Sequence, residues 1–261
     1  MGSVFYQWPT IWVFILFTLL ITLASIIGLY LFNSFGLPNA VCEDNNAVIG
    51  IFIAAISVFL GIILSFIIVT VWNNYTDAML NADKEAETLY LLYVTVKNMP
   101  QTERTKQLII DYIDFIIRIE YPELKQGKRP TDGDKLLTEL EIAIYGYLPQ
   151  SPREVTLYNE SINLLNRAIE LRTDRLNSAF VGIYPVIWWV AIIDSILIII
   201  MAWFIKCSSV AQYILTGVVG IYVATALFLV IILSYPFEGY LGLGPDPFNA
   251  ALAQIGSLPS I

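Results

Sequence analysis

The chain has 261 residues, 57% of them hydrophobic and 14% charged, against about 25% charged in soluble domains, which argues for a membrane protein. Its net charge of −8 is laid unevenly: thirteen of fourteen Lys and Arg lie from Lys84 to Arg175, leaving a polar middle between two apolar ends. It contains no His, which weakens any case for a zinc site or a His-based triad, and two Cys cannot build a disulfide framework.

A spanning helix needs about 20 apolar residues. Ile11 to Phe32 is the first such window and carries no charge. It lacks a basic n-region and is too long for the core of a cleaved signal peptide, so it is read as a retained span. A short loop with Cys42, Glu43, Asp44, Asn45 and Asn46 follows. Ala47 to Trp72 is the second span, also uncharged. Along it Gly50, Ala54, Ser57, Gly61 and Ser65 recur at steps of three and four, a small-residue stripe on one face. Small residues permit close helix packing in lipid. They also leave room for ions and water in a narrow pore, and both readings stand. Phe52, Phe59 and Phe66 occupy other positions on the same helix, as a constriction or as lipid contacts.

The segment 73–180 reads as helical. Span two runs on without a breaker to Pro100, and Ala82, Ala86, Leu89, Tyr93 and Val96 share one face. A helix from 47 to 99 would be about 80 Å long. A second helix, TERTKQLIIDYIDFIIRIE, is expected to stop before Pro122. ELKQGKRPTDG is a loop, and DKLLTELEIAIYGYL a third helix. Ser151-Pro152-Arg153-Glu154 has the capping-box pattern and opens a fourth, which is expected to feed directly into span three. Tyr184 to Phe204 is that span, interrupted only by Asp194. A charge at mid-bilayer costs at least about 2.5–3.5 kcal/mol, and no other span holds a basic partner. Asp194 therefore lines an aqueous path for cations or protons, hydrogen-bonds a neighbouring span at Thr216 or Tyr222, or binds across a subunit interface. Ala211 to Tyr235 is the fourth span. A short tail helix, 247–255, presents Phe248, Leu252 and Ile255 on one side and docks on its own subunit or on a neighbour.

Four spans put both termini on the side of the 73–180 segment. Lys84, Arg167, Arg172 and Arg175 near its membrane ends make that side cytoplasmic by the positive-inside rule. Cys42 and Cys207 then emerge together on the oxidising face, either as a disulfide or as two free thiols. Glu43 and Asp44 beyond Asn45 and Asn46 would form an acidic mouth, which favours cations over anions.

Three stretches occur in a telling order. VWNNYTDAMLNADKEAETLYLLY, residues 71–93, is an aromatic span end leading into an EA-containing helix, with Glu85-Ala86 or Glu87. ELRTDRL, residues 170–176, carries R-x-x-R-L ahead of a span with Trp188 and Trp189. SYPFEGYLGLGPDPF, residues 234–248, closes span four. Together they cover essentially the whole chain, which resembles the bestrophin-like membrane proteins, formerly grouped as a domain of unknown function. The resemblance implies an oligomeric ion channel, by analogy a pentamer, with its pore lined by span two. Bestrophins carry a run of acids that clasps calcium, and no such run occurs near the end of this chain, so calcium gating of that kind is not carried over.

The expected molecule is an all-α integral membrane protein of the plasma or inner membrane. Residues 1–72 hold spans one and two, 73–180 a cytoplasmic helical domain, 181–235 spans three and four, and 236–261 a cytoplasmic tail. It conducts ions passively, with Asp194, Ser57, Gly61, Ser65, Asn46, Glu43 and Asp44 along the pore or ion path. Its partners are the bilayer, copies of itself and inorganic ions. No cofactor, nucleic acid or enzymatic activity is implied, for no nucleophile–base pair, phosphate loop or calcium loop is present. The rival reading is a non-conducting scaffold or assembly factor that binds a partner through the helical domain.

Overall fold

Apolar windows and their breakers fix where the helices begin and end. The computed structural model describes residues 10–35, 46–239 and 242–259. Among them every regular element is helical: α1 Thr10–Ser34, α2 Asn46–Lys97, α3 Glu103–Phe115, α4 Tyr121–Lys125, α5 Gly133–Tyr145, α6 Pro152–Phe180, α7 Pro185–Trp203, α8 Ser209–Leu233 and α9 Asp246–Ser257. α1, α2, α7 and α8 are each long and apolar enough over a stretch to cross a membrane. The chain is an all-α integral membrane protein with a polar helical insert between its second and third spans. It divides into two compact units, one apolar and one polar, and α2 contributes its first part, through Asn73, to the apolar unit and the rest to the polar one.

In the apolar unit α1 and α8 run antiparallel. Gly220 lets α8 approach the backbone of α1: a methyl group added there would lie 3.1 Å from Thr22 Cα. Phe14 and Phe228 meet further along, ring centroids 5.1 Å apart. Gly28 makes room for the Trp203 ring, which any side chain at 28 would overlap. Such close approaches are how helices associate where lipid removes the hydrophobic drive. A narrow strip of α2 (Leu60, Leu64, Ile67 and Val71) packs with Ala191 and Ile198 of α7 and Val223, Leu227 and Val230 of α8. Asn46 clamps the start of α2 to the α7–α8 loop, donating from Nδ2 to the Lys206 carbonyl (2.6 Å) and accepting the Lys206 N–H (2.9 Å).

The polar unit comprises Asn74–Val181 and the tail from Tyr235. Its core joins the inner face of α2 (Ala78, Ala82, Ala86, Leu89, Leu92, Val96) to Ile109, Tyr112 and Ile113 of α3, Leu140 of α5, Leu165 and Ala168 of α6, and Phe248 and Ile255 of α9. The tail helix thus docks within its own chain, and Lys97 Nζ ties the last described residue, Pro259, to the end of α2.

Two expectations are corrected. The second helix does not stop before Pro122. A π turn, Ile116–Glu120, follows α3 and leads straight into α4, with Pro122 in the first turn of that helix. The wider π turn dispenses with the backbone bond that proline cannot donate. Nor does α6 run into span three. It ends at Phe180; Val181 to Tyr184 is not helical, because Pro185 drives Tyr184 to extended geometry (φ −54°, ψ 131°) and opens α7 as its first residue. Asn74 Nδ2 donates to the carbonyls of Ser178 and Val181, at 3.4 and 3.3 Å, around this break.

The capping box forms with a variation. Ser151 Oγ accepts the Glu154 N–H at 3.3 Å, and Glu154 reaches back to the N–H of Gln150 rather than to that of Ser151, at 2.9 Å. The bonds from Gln150, then from the Ser151 and Tyr147 hydroxyls, hold the Glu154 carboxyl below its usual range. A lowered folded pKa contributes stability above the unfolded value of 4.5 and loses it as pH falls through the folded value. Glu154→Gln is therefore expected to lower the Tm at pH 7, with the gap to the parent closing as pH drops below 4.5. Circular dichroism melts across that range test it, and a gap that stays constant with pH would contradict it.

Candidate functional site

The three stretches that carry the family resemblance converge on one guanidinium. Arg175 of α6 is fully buried. Its Nε donates to Glu85 Oε2 of α2 at 2.6 Å, and its Nη2 to Glu85 Oε1 at 3.1 Å and Glu120 Oε2 at 2.7 Å. One turn back, Arg172 donates from Nε and Nη2 to Glu120 Oε1 (3.0 and 2.7 Å) and from Nη1 to Asp134 of α5 (2.6 Å). The Tyr121 and Phe248 rings stand 5.5 and 5.4 Å from the Arg175 guanidinium carbon, a cation–π contact that enlists α9. Phe237 packs edge-on to Tyr121.

Local geometry makes the network possible. The π turn delivers Glu120 into the core. Gly133 opens α5 without a side chain, because a Cβ there would overlap Glu120 Oε1 and lie 2.6 Å from Arg172 Nη2. Burial pushes the Glu85 carboxyl up, with Arg175 opposing, and pushes the Tyr112 phenol well up. Burial also opposes the charge on Arg175, but Glu85 and Glu120 outweigh it and hold the guanidinium above its ordinary value. The arrangement holds five charges together and presents no nucleophile with a base. Among the described residues no group of three or more His, Cys, Asp or Glu is placed to hold a metal ion.

The described residues expected along an ion path, Asn46, Ser57, Gly61, Ser65 and Asp194, lie in the apolar unit. The stripe leaves room beside it: a Cβ at Gly50 or Gly61 meets nothing within 4 Å, and Gly50, Ala54 and Ser65 are exposed while Ser57 and Gly61 are half-buried. Ser65 Oγ donates to the Gly61 carbonyl at 2.7 Å. Asp194 sits instead on the covered face of α7, between Ala191 and Ile198, and is 8% exposed. Its Oδ2 has no partner among the described residues, and neither has Thr216 Oγ1, so the expected bond between them is not made. Tyr222 faces outward. Asn46 is engaged by Lys206. Cys207 is exposed, whereas Cys42, Glu43, Asp44 and Asn45 fall outside the described residues.

Glu120 and Asp134 were not visible as ion-pair partners from sequence. One signal was present: the apolar recurrence at Leu165, Ala168 and Leu176 of α6 calls for apolar residues at 172 and 175, and both are Arg.

The model of the bestrophin-like domain matches residues 19–248. The chain belongs to the Bestrophin-like family. No functionally curated protein matches it. Among solved structures, a variant of a bacterial bestrophin homologue from Klebsiella pneumoniae is similar at 13% identity, with a TM-score of 0.64 over 95% of this chain and 99% of the other. A second variant gives 14%, 0.63, 96% and 100%. A structure described as a membrane protein gives 14%, 0.64, 94% and 99%. At such identities the likeness shows a shared fold. This bestrophin-like chain thus uses the residues that betray its family to brace its polar unit.

Removing one member of a buried ion pair typically costs about 3–5 kcal/mol, because the remaining charges lose their counterion. Arg175→Met, which leaves Glu85 and Glu120 buried without it, is expected to cost that much in unfolding of the purified protein. Gly133→Ala should also lower stability by crowding Glu120. A loss under 1 kcal/mol for Arg175→Met would show the network to be expendable.

Proposed function

We propose that this chain is the protomer of an oligomeric ion channel that conducts passively along a path lined by α2. The observation that carries the reading is the open side of α2. Its apolar part is buried by its own chain along Leu60, Leu64, Ile67 and Val71, with Ile56, Ile63 and Ile68 partly covered beside them, while Ile51, Phe52, Val58, Phe59, Ile62, Phe66 and Val69 stay exposed and await other occupants. In a Bestrophin-like chain, resemblance to channels whose second span lines the pore supplies the occupants: other copies and an ion path, five copies by analogy. The polar unit is assigned to the cytoplasm, since thirteen of the fourteen basic residues lie between Lys84 and Arg175. Glu43 and Asp44, which precede α2 in sequence, supply an acidic mouth beyond Asn46 and favour cations. Asp194 stands behind the covered strip of α2 rather than along the path, and a charge there would add negative potential to it.

A scaffold remains the second reading, and one feature favours it. Ile142, Tyr145 and Leu148, where α5 ends, are exposed apolar residues on the polar unit, a surface suited to a protein partner.

Purified protein in liposomes, given potassium, sodium and chloride gradients in turn, tests the channel. Cation flux exceeding chloride flux is expected. Asp194→Asn should reduce cation flux severalfold without changing assembly, and unchanged flux would make Asp194 purely structural. Folded oligomers that pass no ion under any gradient would favour the scaffold.

A further inference from the structure

We propose that α2 packs against α2 of a second copy through two different flanks: Phe52, Phe59 and Phe66 of one copy seat on the Gly50, Ala54, Ser57, Gly61 and Ser65 stripe of the next. The inference rests on the reading of the chain as an oligomer and specifies its contact within the membrane.

Successive residues of an α-helix turn by about 100°. Measured from the covered strip through Leu60, Leu64, Ile67 and Val71, the small residues fall roughly 100° to one side and the three Phe roughly 100° to the other. Its own chain covers both flanks only in part, with Ser57 and Gly61 half-buried on one side and Ile63 half-buried towards the other. Gly50 and Gly61 have open space where a Cβ would stand. Phe59 is 55% exposed and Phe66 71%.

Lipid tails also cover Phe, so exposure alone does not name the occupant. Depth does. Copies related by an axis along the membrane normal keep each residue at the same depth as its equivalent in the next copy. Phe52 therefore lies level with the gap between Gly50 and Ala54. Phe59 lies level with the gap between Ser57 and Gly61, and Phe66 beside Ser65. Each large ring meets a small-residue hollow at its own height. The seven-residue step of the Phe matches that of Gly50 to Ser57 and of Ala54 to Gly61, the period that keeps two near-parallel helices in contact. Covering Ser65 leaves no hydroxyl orphaned, since its Oγ already donates to the Gly61 carbonyl. Because knob and hollow lie on opposite flanks, the contact is head-to-tail and repeats from copy to copy until a ring closes.

The test uses the full chain in liposomes with Cys42→Ser and Cys207→Ser as background. Phe59→Cys with Gly61→Cys, treated with a short bis-methanethiosulfonate cross-linker, which loses a sulfinate at each thiol it captures, should give a ladder of covalent multimers beyond the dimer. Either cysteine alone should leave monomers. Dimers from a single cysteine with no ladder from the pair would overturn the head-to-tail contact. So would monomers alone from the pair in protein shown by size to be oligomeric. Gly61→Phe should abolish assembly while leaving the protomer's own fold intact, and adding Phe59→Ala, which exchanges knob and hollow, should restore it. A ladder without ion flux would uphold the contact and sink the channel. Flux without a ladder would do the reverse.

Discussion

Everything in the polar unit turns on the need to neutralise Arg175 out of reach of water. A lone guanidinium in the interior is prohibitively costly. Glu85 and Glu120 neutralise it from two directions through Nε and Nη2, leaving Nη1 without a hydrogen-bond partner among the described residues, and Arg172 with Asp134 balances the second carboxylate. Each partner comes from a different part of the chain: α2, the π turn, α6 and α5. Hydrogen-bond geometry thereby sets the mutual placement of these elements more tightly than apolar packing alone, which tolerates sliding. The flanking rings of Tyr121 and Phe248 complete the cage.

The same helix that supplies Glu85 has a different task in the apolar unit. There α2 has one covered strip and two distinct flanks. A helix committed to its own chain would be covered more broadly, and a helix committed only to lipid would have no cause to sort rings to one flank and glycines to the other. Division of labour along α2 lets one helix hold Glu85 of the ion network in the polar unit and two unlike flanks in the apolar one.

Much of this was legible in the sequence. Spans were set by long apolar runs, interrupted only by Asp194 in the third, and the start of α6 by Ser151-Pro152. Motif order identified the family before any geometry. The break at Val181–Tyr184 was less legible, because apolar content continues across it and only Pro185 marks it. The π turn was not, because its sequence, IIRIE, looks like any other helical turn. Asp194 stood out as an acid in a span, yet sequence alone does not say which face of α7 is covered. The ion network escaped notice because its acids and bases are separated by up to 90 positions, and charge in a polar segment reads as solvated surface until the fold encloses it.

The stacking of Phe248 on Arg175 also orders events in time. α9 is synthesised after every other described helix, so while α2 to α6 are already made, Arg175 waits with one side of its cage open. Spans α7 and α8 must pass into the bilayer before the closing ring arrives. Completion of the polar unit is therefore a late, post-insertion event, even though domains in general tend to fold from the N-terminus as synthesis proceeds. A chain whose last two spans fail to insert cannot bring its tail home, and it would display its unfinished core to the proteases and chaperones that remove such chains.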